Sequence, residues 1–247
     1  MKVARYLAQL GYGTRRQVEH LLWKKGATRA TGEVLTERDE VGPKGLAHDD
    51  IRVHGEPLDP PPDSVLMLHK PAGFVCSTED TNPLVYELMP ARFRHRNPII
   101  APVGRLDRET TGLLLLTDNG ALLHRLTSPR SHLTKTYRAL LAEAVGEQTR
   151  DLFESGTLLL HGEDKPLLPA TLDVIGDRDV RISVTEGRYH QVRRMFAAAG
   201  NHVVQLHRES TGSLQLGELE EGKWRVLSAA ERAMLDADLQ AARARKN

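Results

Sequence analysis

The chain has 247 residues, and 40% of them are hydrophobic, which is enough to form the core of one medium domain with a small appendage. Its formal net charge is +1. The single cysteine, Cys76, excludes an internal disulfide and disfavours a zinc site built on several cysteines. The chain opens without an apolar signal core and has no stretch of about 20 uncharged apolar residues, so we expect a soluble, cytoplasmic protein.

Charge is distributed unevenly over the first 60 residues. Residues 1–30 carry seven basic side chains against one acidic side chain, a net +6. Residues 31–60 carry eight acidic side chains against three basic ones, a net −5. This polarity predicts one face for an anionic partner such as a phosphate backbone, with salt-sensitive binding.

The segment that starts at Thr14 predicts a helix with a basic and aromatic face. Thr14 and Gln17 have the spacing of a capping box, and Gly26 supplies a stop. The apolar stripe consists of Val18, Leu21 and Leu22. Candidates for binding phosphates and stacking on unpaired bases are Arg15, Arg16, His20 and Trp23. An alternative of equal weight is that Trp23 packs against a neighbouring domain and the charges are merely solvated.

Short strands are predicted after this helix, at 32–34 and 50–58. The order of helix, helix and short strands resembles the small RNA-binding module of ribosomal small-subunit protein S-four. We therefore predict such a module over residues 1–59. The proline-rich stretch at 60–64 is the predicted linker, and 65–247 is the predicted catalytic domain.

The most informative stretch begins at residue 104. Asp107 lies between two arginines in a polar loop, and the leucine run 113–116 that follows predicts a strand buried on both faces, ended by the Asp-Asn-Gly turn signal at 118–120. A carboxylate at the mouth of such a strand is held rigidly, and arginines beside it favour its ionised form. From these residues alone, a cluster of ion pairs on the surface is a better interpretation than a catalytic carboxylate.

The remaining segments predict strands and helices without strict alternation. Strands are predicted at 65–70, 137–141, 170–175 and 180–184, the last two joined by a hairpin turn. One helix is expected to bury Val192, Met195, Phe196 and Ala199 and to end at 200–201, and a charged, peripheral helix is expected at 229–246. The basic segment 92–96 is predicted to be either an RNA contact or a solvated loop. The pattern predicts an α+β fold with a mostly antiparallel mixed sheet.

Three motifs in this chain resemble those of pseudouridine synthases, in the branch that modifies ribosomal RNA. Residues 104–107 with 110–113 resemble the family's nucleophile motif, 135–137 its tyrosine motif and 186–196 its basic motif. The order and separations also agree, and the likeness covers nearly the whole chain. Within the family, the sequence of residues 187–202 most resembles that of the enzymes that act on small-subunit rRNA.

The resemblance implies roles for individual residues. Asp107 would be the nucleophile, or the base that starts glycosidic cleavage, and Arg193 matches the position that pairs with it. The ring of Tyr137 would stack on the target base and its hydroxyl would help to move the ring proton, although a core tyrosine is the favoured interpretation without the resemblance. Arg105 would occupy the space left by the extruded uridine, and Arg194 would bind phosphate. Other basic candidates for RNA contact are Lys70, Arg130, Lys135, Arg188 and Arg208.

The implied reaction is the isomerisation of one uridine in 16S rRNA, which requires no metal, cofactor or nucleotide triphosphate. The implied partner is ribosomal RNA in an assembling small subunit. The protein is expected to be a monomer and not to associate with a membrane. Alternatives are the same reaction on large-subunit rRNA, or a non-catalytic rRNA-binding assembly factor. A glycosidase-like hydrolase would need a second carboxylate at a matched distance, for which Glu109 is only the nearest in sequence.

Overall fold

A computed structural model describes residues 1–128 and 131–244 of the chain. Arg130 and the end of the predicted terminal helix lie outside these ranges. The chain divides into two compact units. The first unit comprises Met1–Val65, Tyr86–Ala101 and Leu116–Leu123, and the second comprises Leu66–Val85, Pro102–Leu115 and His124–Asn247. The boundary predicted at 60–64 stays a prediction.

The first unit begins with two helices and a small antiparallel sheet. The helices are α1 (Val3–Gln9) and α2 (Arg15–Trp23), and the strands, in spatial order, are β1 (Ala27–Arg29), β2 (Ile51–Val53) and β3 (Glu56–Pro57). The capping box is confirmed, because the Thr14 hydroxyl accepts from the Gln17 amide and the Gln17 side chain accepts from the Thr14 amide. A core that includes Leu7, Val18 and Ile51 joins the helices to the sheet.

Two expectations for this unit are wrong. Residues 32–34 form no strand; Gly32 lies in a turn, and Val34 makes only an isolated bridge with Thr28. The basic segment 92–96 is not a solvated loop, because Ala91–His95 form a 3₁₀ helix that is followed by a buried arginine. The alternative, an RNA contact, stays a prediction. Arg96 donates to Asp118 at 2.7 Å, and both side chains are almost fully buried.

The large sheet has nine strands among the described residues, and nearly all of its residues belong to the second unit. Its strands are β4 (Val65–Lys70), β5 (Ala101–Pro102), β6 (Thr110–Thr117), β7 (Lys135–Leu141), β8 (Thr171–Gly176), β9 (Asp179–Val184), β10 (Val203–Thr211), β11 (Leu214–Gln215) and β12 (Trp224–Val226). The spatial order is β12–β4–β6–β10–β7–β9–β8. Strands β6 and β10 run parallel, whereas β7, β8, β9 and β12 pair antiparallel with their neighbours. The predicted α+β class with a mixed sheet is confirmed.

Four further helices are described: α3 (Gly120–Thr127), α4 (Thr149–Glu154), α5 (Gln191–Ala198) and α6 (Ala229–Ala244). The turn signal at 118–120 is also a helix start, because the Asn119 side chain accepts from the Leu122 amide at 2.8 Å. Helix α5 buries Val192, Met195 and Phe196 as expected, whereas Ala199, also expected to be buried, follows the helix and is only partly buried. None of the described helices is long and apolar enough to cross a membrane.

Strands β6 and β10 approach each other closely at Gly112. Its backbone has φ +105°, and a Cβ there would lie 2.3 Å from the carbonyl oxygen of Arg208. Both facts require glycine, since other residues are strained at positive φ and a backbone oxygen cannot move aside cheaply. The glycine of the nucleophile motif therefore sets the spacing of the two strands.

We expect Gly112→Ala to destabilise the protein, because the positive φ alone costs about 1–3 kcal/mol and the clash with the Arg208 carbonyl adds to it. Gly120→Ala is the matched control, since nothing lies within 4 Å of a Cβ there and its φ is not positive. Urea unfolding of both variants measures the effect. An alanine at 112 as stable as the wild type would contradict the close approach.

Candidate active site

Three predicted motifs meet at one cavity of about 400 Å³ in the second unit. Its walls come from the loop 103–107, from β7 and β10, and from the segment 184–192 that leads into α5. The volume lies in the range of sites that hold a small molecule or a single base. Side chains that line it include Arg105, Asp107, Lys135, Tyr137, His190 and Arg208.

Asp107 is held by a tight turn before β6. The amide of Thr110 donates to the carbonyl of Asp107 at 3.0 Å, which closes the turn. The amide of Leu106 points at the sulfur of Cys76 at 3.4 Å. Burial raises the pKa of the Cys76 thiol, so this cysteine packs against the loop and is not an activated nucleophile.

Lys70 holds the same loop through hydrogen bonds to its backbone carbonyls. Its side chain is fully buried, and its ammonium donates to the carbonyls of Pro71, Arg108 and Thr110 at 2.9, 3.0 and 2.8 Å. Burial lowers the pKa of Lys70, and the carboxylates of Glu109 and Asp107 oppose that shift. All three donors of the ammonium are used, which contradicts the prediction that Lys70 contacts RNA.

The side chain that contacts Asp107 belongs to a residue that the sequence analysis did not select. His190 Nε2 lies 3.4 Å from Asp107 Oδ1. His190 precedes α5 with φ +50°, a conformation uncommon for a residue with a side chain, and its ring stacks on the 70%-exposed Tyr189 at 3.9 Å. A histidine at the start of the basic motif was the available signal.

Arg193 is placed differently from its predicted role. Its Nη1 donates to the carbonyl of Val203 at 2.9 Å, and its Nη2 is buried without a hydrogen-bond partner. Among the described residues no ion pair joins Arg193 to Asp107, so the expected pairing is not formed in this structure. The family motif identified the helix correctly but not the contact that its arginine makes.

Tyr137 is held by Arg208. The tyrosine is 9% exposed and lies on β7 opposite Arg208 of β10. Arg208 is 4% exposed, donates to the carbonyl of Leu113 at 2.6 Å, lies 3.5 Å from the Tyr137 hydroxyl and sits 6.0 Å from the ring centroid. Arg208 thus forms the floor of the cavity, and its predicted RNA contact stays a prediction.

The arginines of the basic motif are committed to protein contacts. Arg188 and Arg194 each donate to Glu163, at 3.2 and 2.8 Å. Arg188 also contacts Glu186 and the carbonyls of residues 165 and 166, and Arg194 donates to the carbonyl of His161 at 2.7 Å. Their guanidiniums hold a loop around Glu163 to the cavity wall. These contacts give both arginines a structural role, and their predicted phosphate contacts stay predictions.

Two predicted RNA-contact residues line the cavity with few protein contacts. Arg105 is exposed and has no hydrogen-bond partner within 1–128 and 131–244. Lys135 donates to the carbonyl of Leu133 at 3.1 Å. Desolvation, together with the positive charge of Arg208, lowers the pKa of Lys135 to about 8, and Glu186 opposes the shift.

In the first unit, α2 presents the predicted basic and aromatic face to solvent. Trp23 is 76% exposed and stacks with His20 at 5.6 Å. Arg16 is exposed, and Arg15 pairs with Glu19 at 2.9 Å. Within this unit Trp23 is therefore not a packing residue. No group of three or more metal-ligating side chains occurs among the residues that the structure describes.

Comparison with known proteins identifies close relatives. A family profile described as RNA pseudouridylate synthase matches residues 64–198. The ribosomal small subunit pseudouridine synthase A of Pasteurella multocida is 41% identical over 94% of this chain and 97% of its own length. The protein of the same name from Escherichia coli strain K12 is 44% identical over 76% of this chain and 81% of its own. A crystal structure of a pseudouridylate synthase, 36% identical, superimposes with a TM-score of 0.65 and covers 95% of this chain and 99% of its own.

We expect Lys70→Met to loosen the loop that carries Asp107. The change leaves three carbonyls without their donor, and that of the buried Thr110 alone costs about 1–3 kcal/mol as an unsatisfied buried group. Urea unfolding and hydrogen exchange at the Leu106 and Thr110 amides measure the effect. Lys223→Met, at an exposed lysine of the same unit, is the control. Unchanged protection of the Thr110 amide would show that Lys70 does not hold the loop.

Proposed function

This chain belongs to the RNA pseudouridylate synthase family, and from that premise we propose that it isomerises one specific uridine of small-subunit (16S) ribosomal RNA to pseudouridine. The observation that carries the proposal is the meeting of Asp107 and Tyr137 in one cavity, supported by relatives that bear the name ribosomal small subunit pseudouridine synthase A over most of their length. A pure binding protein has no need of a carboxylate held so firmly, which disfavours the assembly-factor alternative.

Asp107 acts on the ribose of the bound uridine. The isomerisation breaks the bond between C1′ and N1 of the ring and forms a bond between C1′ and C5. The carboxylate serves as nucleophile at C1′ or as the base that starts cleavage, and its rigid turn orients it for either task. The Nε2 atom of His190 lies 3.4 Å from this carboxylate.

Tyr137 and Arg105 hold the target base. The base must leave the RNA stack before its glycosidic bond is accessible, which costs a few kcal/mol. The ring of Tyr137 lines the cavity and supplies a stacking surface that offsets this cost. Arg105 is exposed at the same cavity and occupies the gap that the extruded base leaves. Arg193 does not contact the base in this proposal; it supports α5 through its hydrogen bond to the carbonyl of Val203.

Residues 1–59 bind the RNA outside the active site, as a module similar to that of ribosomal protein S-four, with 60–64 as the linker and 65–247 as the catalytic domain. The net +6 of residues 1–30 and the exposed face of α2 support this division of labour. The working form is a monomer in the cytoplasm that meets rRNA in an assembling small subunit.

The test is primer-extension mapping of carbodiimide-marked pseudouridine on small-subunit rRNA, both free and in assembly intermediates, after incubation without added cofactor. One new stop establishes the reaction and its site. Stops on large-subunit rRNA alone would move the target to the other subunit, and no stop on any of these substrates would favour the assembly factor.

We expect Asp107→Asn to abolish this stop while leaving RNA affinity within a few-fold of wild type, because the amide can neither attack C1′ nor remove a proton. Glu109→Gln is the matched control, since Glu109 is an exposed carboxylate two residues away. Filter binding measures affinity alongside the mapping. A fully active Asp107→Asn would remove Asp107 from the reaction.

We expect Trp23→Ala and Arg16→Gln to weaken rRNA binding in different ways. Loss of a stacking ring costs about 1–3 kcal/mol at any salt concentration. Loss of one phosphate contact lowers the slope of log affinity against log salt by about 1. Arg38→Gln, in the acidic segment, serves as control. Salt titrations of RNA binding give both quantities, and identical curves for all four proteins would exclude α2 from the interface.

A further inference from the structure

Tyr189 is the most exposed aromatic ring of the second unit. It is 70% exposed, whereas every other tyrosine, tryptophan and phenylalanine described in that unit is buried or partly buried. A single exposed apolar side chain is common on protein surfaces and is not by itself a site. Tyr189 differs from such a side chain because its ring and its backbone are both held in place, directly beside the candidate active site.

One face of the Tyr189 ring is covered and the other is open. The ring stacks on that of His190, with centroids 3.9 Å apart and an interplanar angle of 16°. Among the residues that the structure describes, no second ring and no cation lies over Tyr189, in agreement with its exposure. A flat aromatic face that is open to solvent is a stacking surface for another planar ring.

The backbone around Tyr189 fixes the direction of the ring. The carbonyl of Tyr189 accepts from Arg194 Nη1 at 3.2 Å. The amide of Arg188 donates to the buried side chain of Gln191 at 2.9 Å, which closes the turn. His190 has a φ of +50°, a conformation that persists only where the surroundings determine it. A ring held in this way loses little freedom when it binds a partner.

Tyr189 lies beside the cavity and not in it. His190 lines the cavity and contacts Asp107 at 3.4 Å, whereas Tyr189, stacked on His190, does not line it. The open face of Tyr189 is therefore outside the cavity, but only one ring away from its wall. A base stacked there is a different nucleotide from the one that reacts at Asp107, and it lies close to that nucleotide along the strand.

The charges near Tyr189 favour a base over a phosphate at this position. The guanidiniums of Arg188 and Arg194 each pair with Glu163, at 3.2 and 2.8 Å. Pairing with a carboxylate reduces the attraction of both arginines for a further anion. The open ring face is then the group with which this segment binds an uncharged, planar partner.

We propose that Tyr189 stacks on an unpaired nucleobase that flanks the target uridine, an inference that rests on the proposed function. The base adds a third ring to the stack of Tyr189 on His190. Unpaired segments of RNA are recognised in this way, because their splayed bases stack on aromatic side chains. Every base has a π-face, so the site tests whether the flanking base is unpaired and not which base it is. Tyr189 thereby contributes to the choice of target through the shape of the RNA.

The experiment measures tritium release from C5 of the target uridine, since C5 loses its hydrogen when pseudouridine forms. In ligated small-subunit rRNA, each of the three nucleotides on either side of the target is made abasic in turn. At one position we expect the kcat/KM of wild type to fall about 5- to 150-fold, the range of one base–aromatic stack. We expect kcat to stay within about three-fold, because the stack is the same before and in the transition state. Exchange for another base at that position should change kcat/KM by less than about three-fold.

Variants of the protein assign this effect to the ring. Tyr189→Ala should show the same loss of kcat/KM on intact rRNA and no further loss on the abasic rRNA. Tyr189→Phe, which restores the ring, should recover both the kcat/KM and the sensitivity to the abasic site. Val174→Ala, at a 46%-exposed apolar residue of the same unit outside the cavity, is the control.

A fluorescent base gives a readout that does not depend on turnover. With 2-aminopurine at the sensitive position, we expect binding of Asp107→Asn protein to quench the fluorescence through stacking on Tyr189. The quenching should be lost when Tyr189→Ala is added to the same protein, at concentrations of protein that saturate the RNA.

The outcomes separate this inference from the proposed function. No loss at any of the flanking positions, or equal abasic losses in wild type and Tyr189→Ala, overturns the role of Tyr189 while tritium release by wild type upholds the proposed reaction. A fall in kcat with unchanged KM in Tyr189→Ala also overturns it, because the ring then acts only through His190. Tyr189→Ala as active as wild type on intact rRNA would leave the ring to another partner, such as a protein. A wild type that releases no tritium from any rRNA overturns the proposed function, and the inference falls with it.

Discussion

The buried ammonium of Lys70 is the contact on which the active site depends. It ends β4 and donates to carbonyls on both sides of the turn that carries Asp107. A lysine is buried at the cost of its hydration, and three charge-assisted hydrogen bonds of about 1.5–3 kcal/mol each compensate for it. These hydrogen bonds tie the loop to the end of β4, although the loop itself is not a strand. Gly112 completes this arrangement by letting β10 approach close enough to bring Arg208 under Tyr137.

The basic side chains of the second unit divide by burial into those that build the site and those that remain available to RNA. Lys70 and Arg208 are buried, and Arg188 and Arg194 are half-buried on Glu163. These four shape the cavity without facing solvent as a charged surface. Arg105 has no such partner among the described residues and lines the cavity from an exposed position. The net charge of the whole chain is therefore a poor guide to RNA binding, because part of the positive charge serves internal contacts.

The sequence predicted the elements better than the contacts of charged side chains. The leucine run of β6, the boundaries of β4 and the stripe of α5 follow from hydrophobic periodicity, and the structure confirms them. The pairing of Arg188 and Arg194 with Glu163 spans 25 and 31 residues and depends on how a loop folds back. The same holds for Arg96 with Asp118. Periodicity carries no information on such pairs, so these arginines were read as solvent-facing or RNA-facing.

The surroundings of Asp107 show why a motif predicts a cavity more reliably than a contact. The basic motif supplies His190 and Arg193 from one short segment, and only His190 reaches the carboxylate, because the left-handed backbone at 190 turns that ring inward before α5 begins. Arg193, one helical turn later, points to the carbonyl of Val203 and leaves Nη2 buried and unpaired. The motif therefore predicts which segment lines the cavity, but not which of its side chains contacts Asp107.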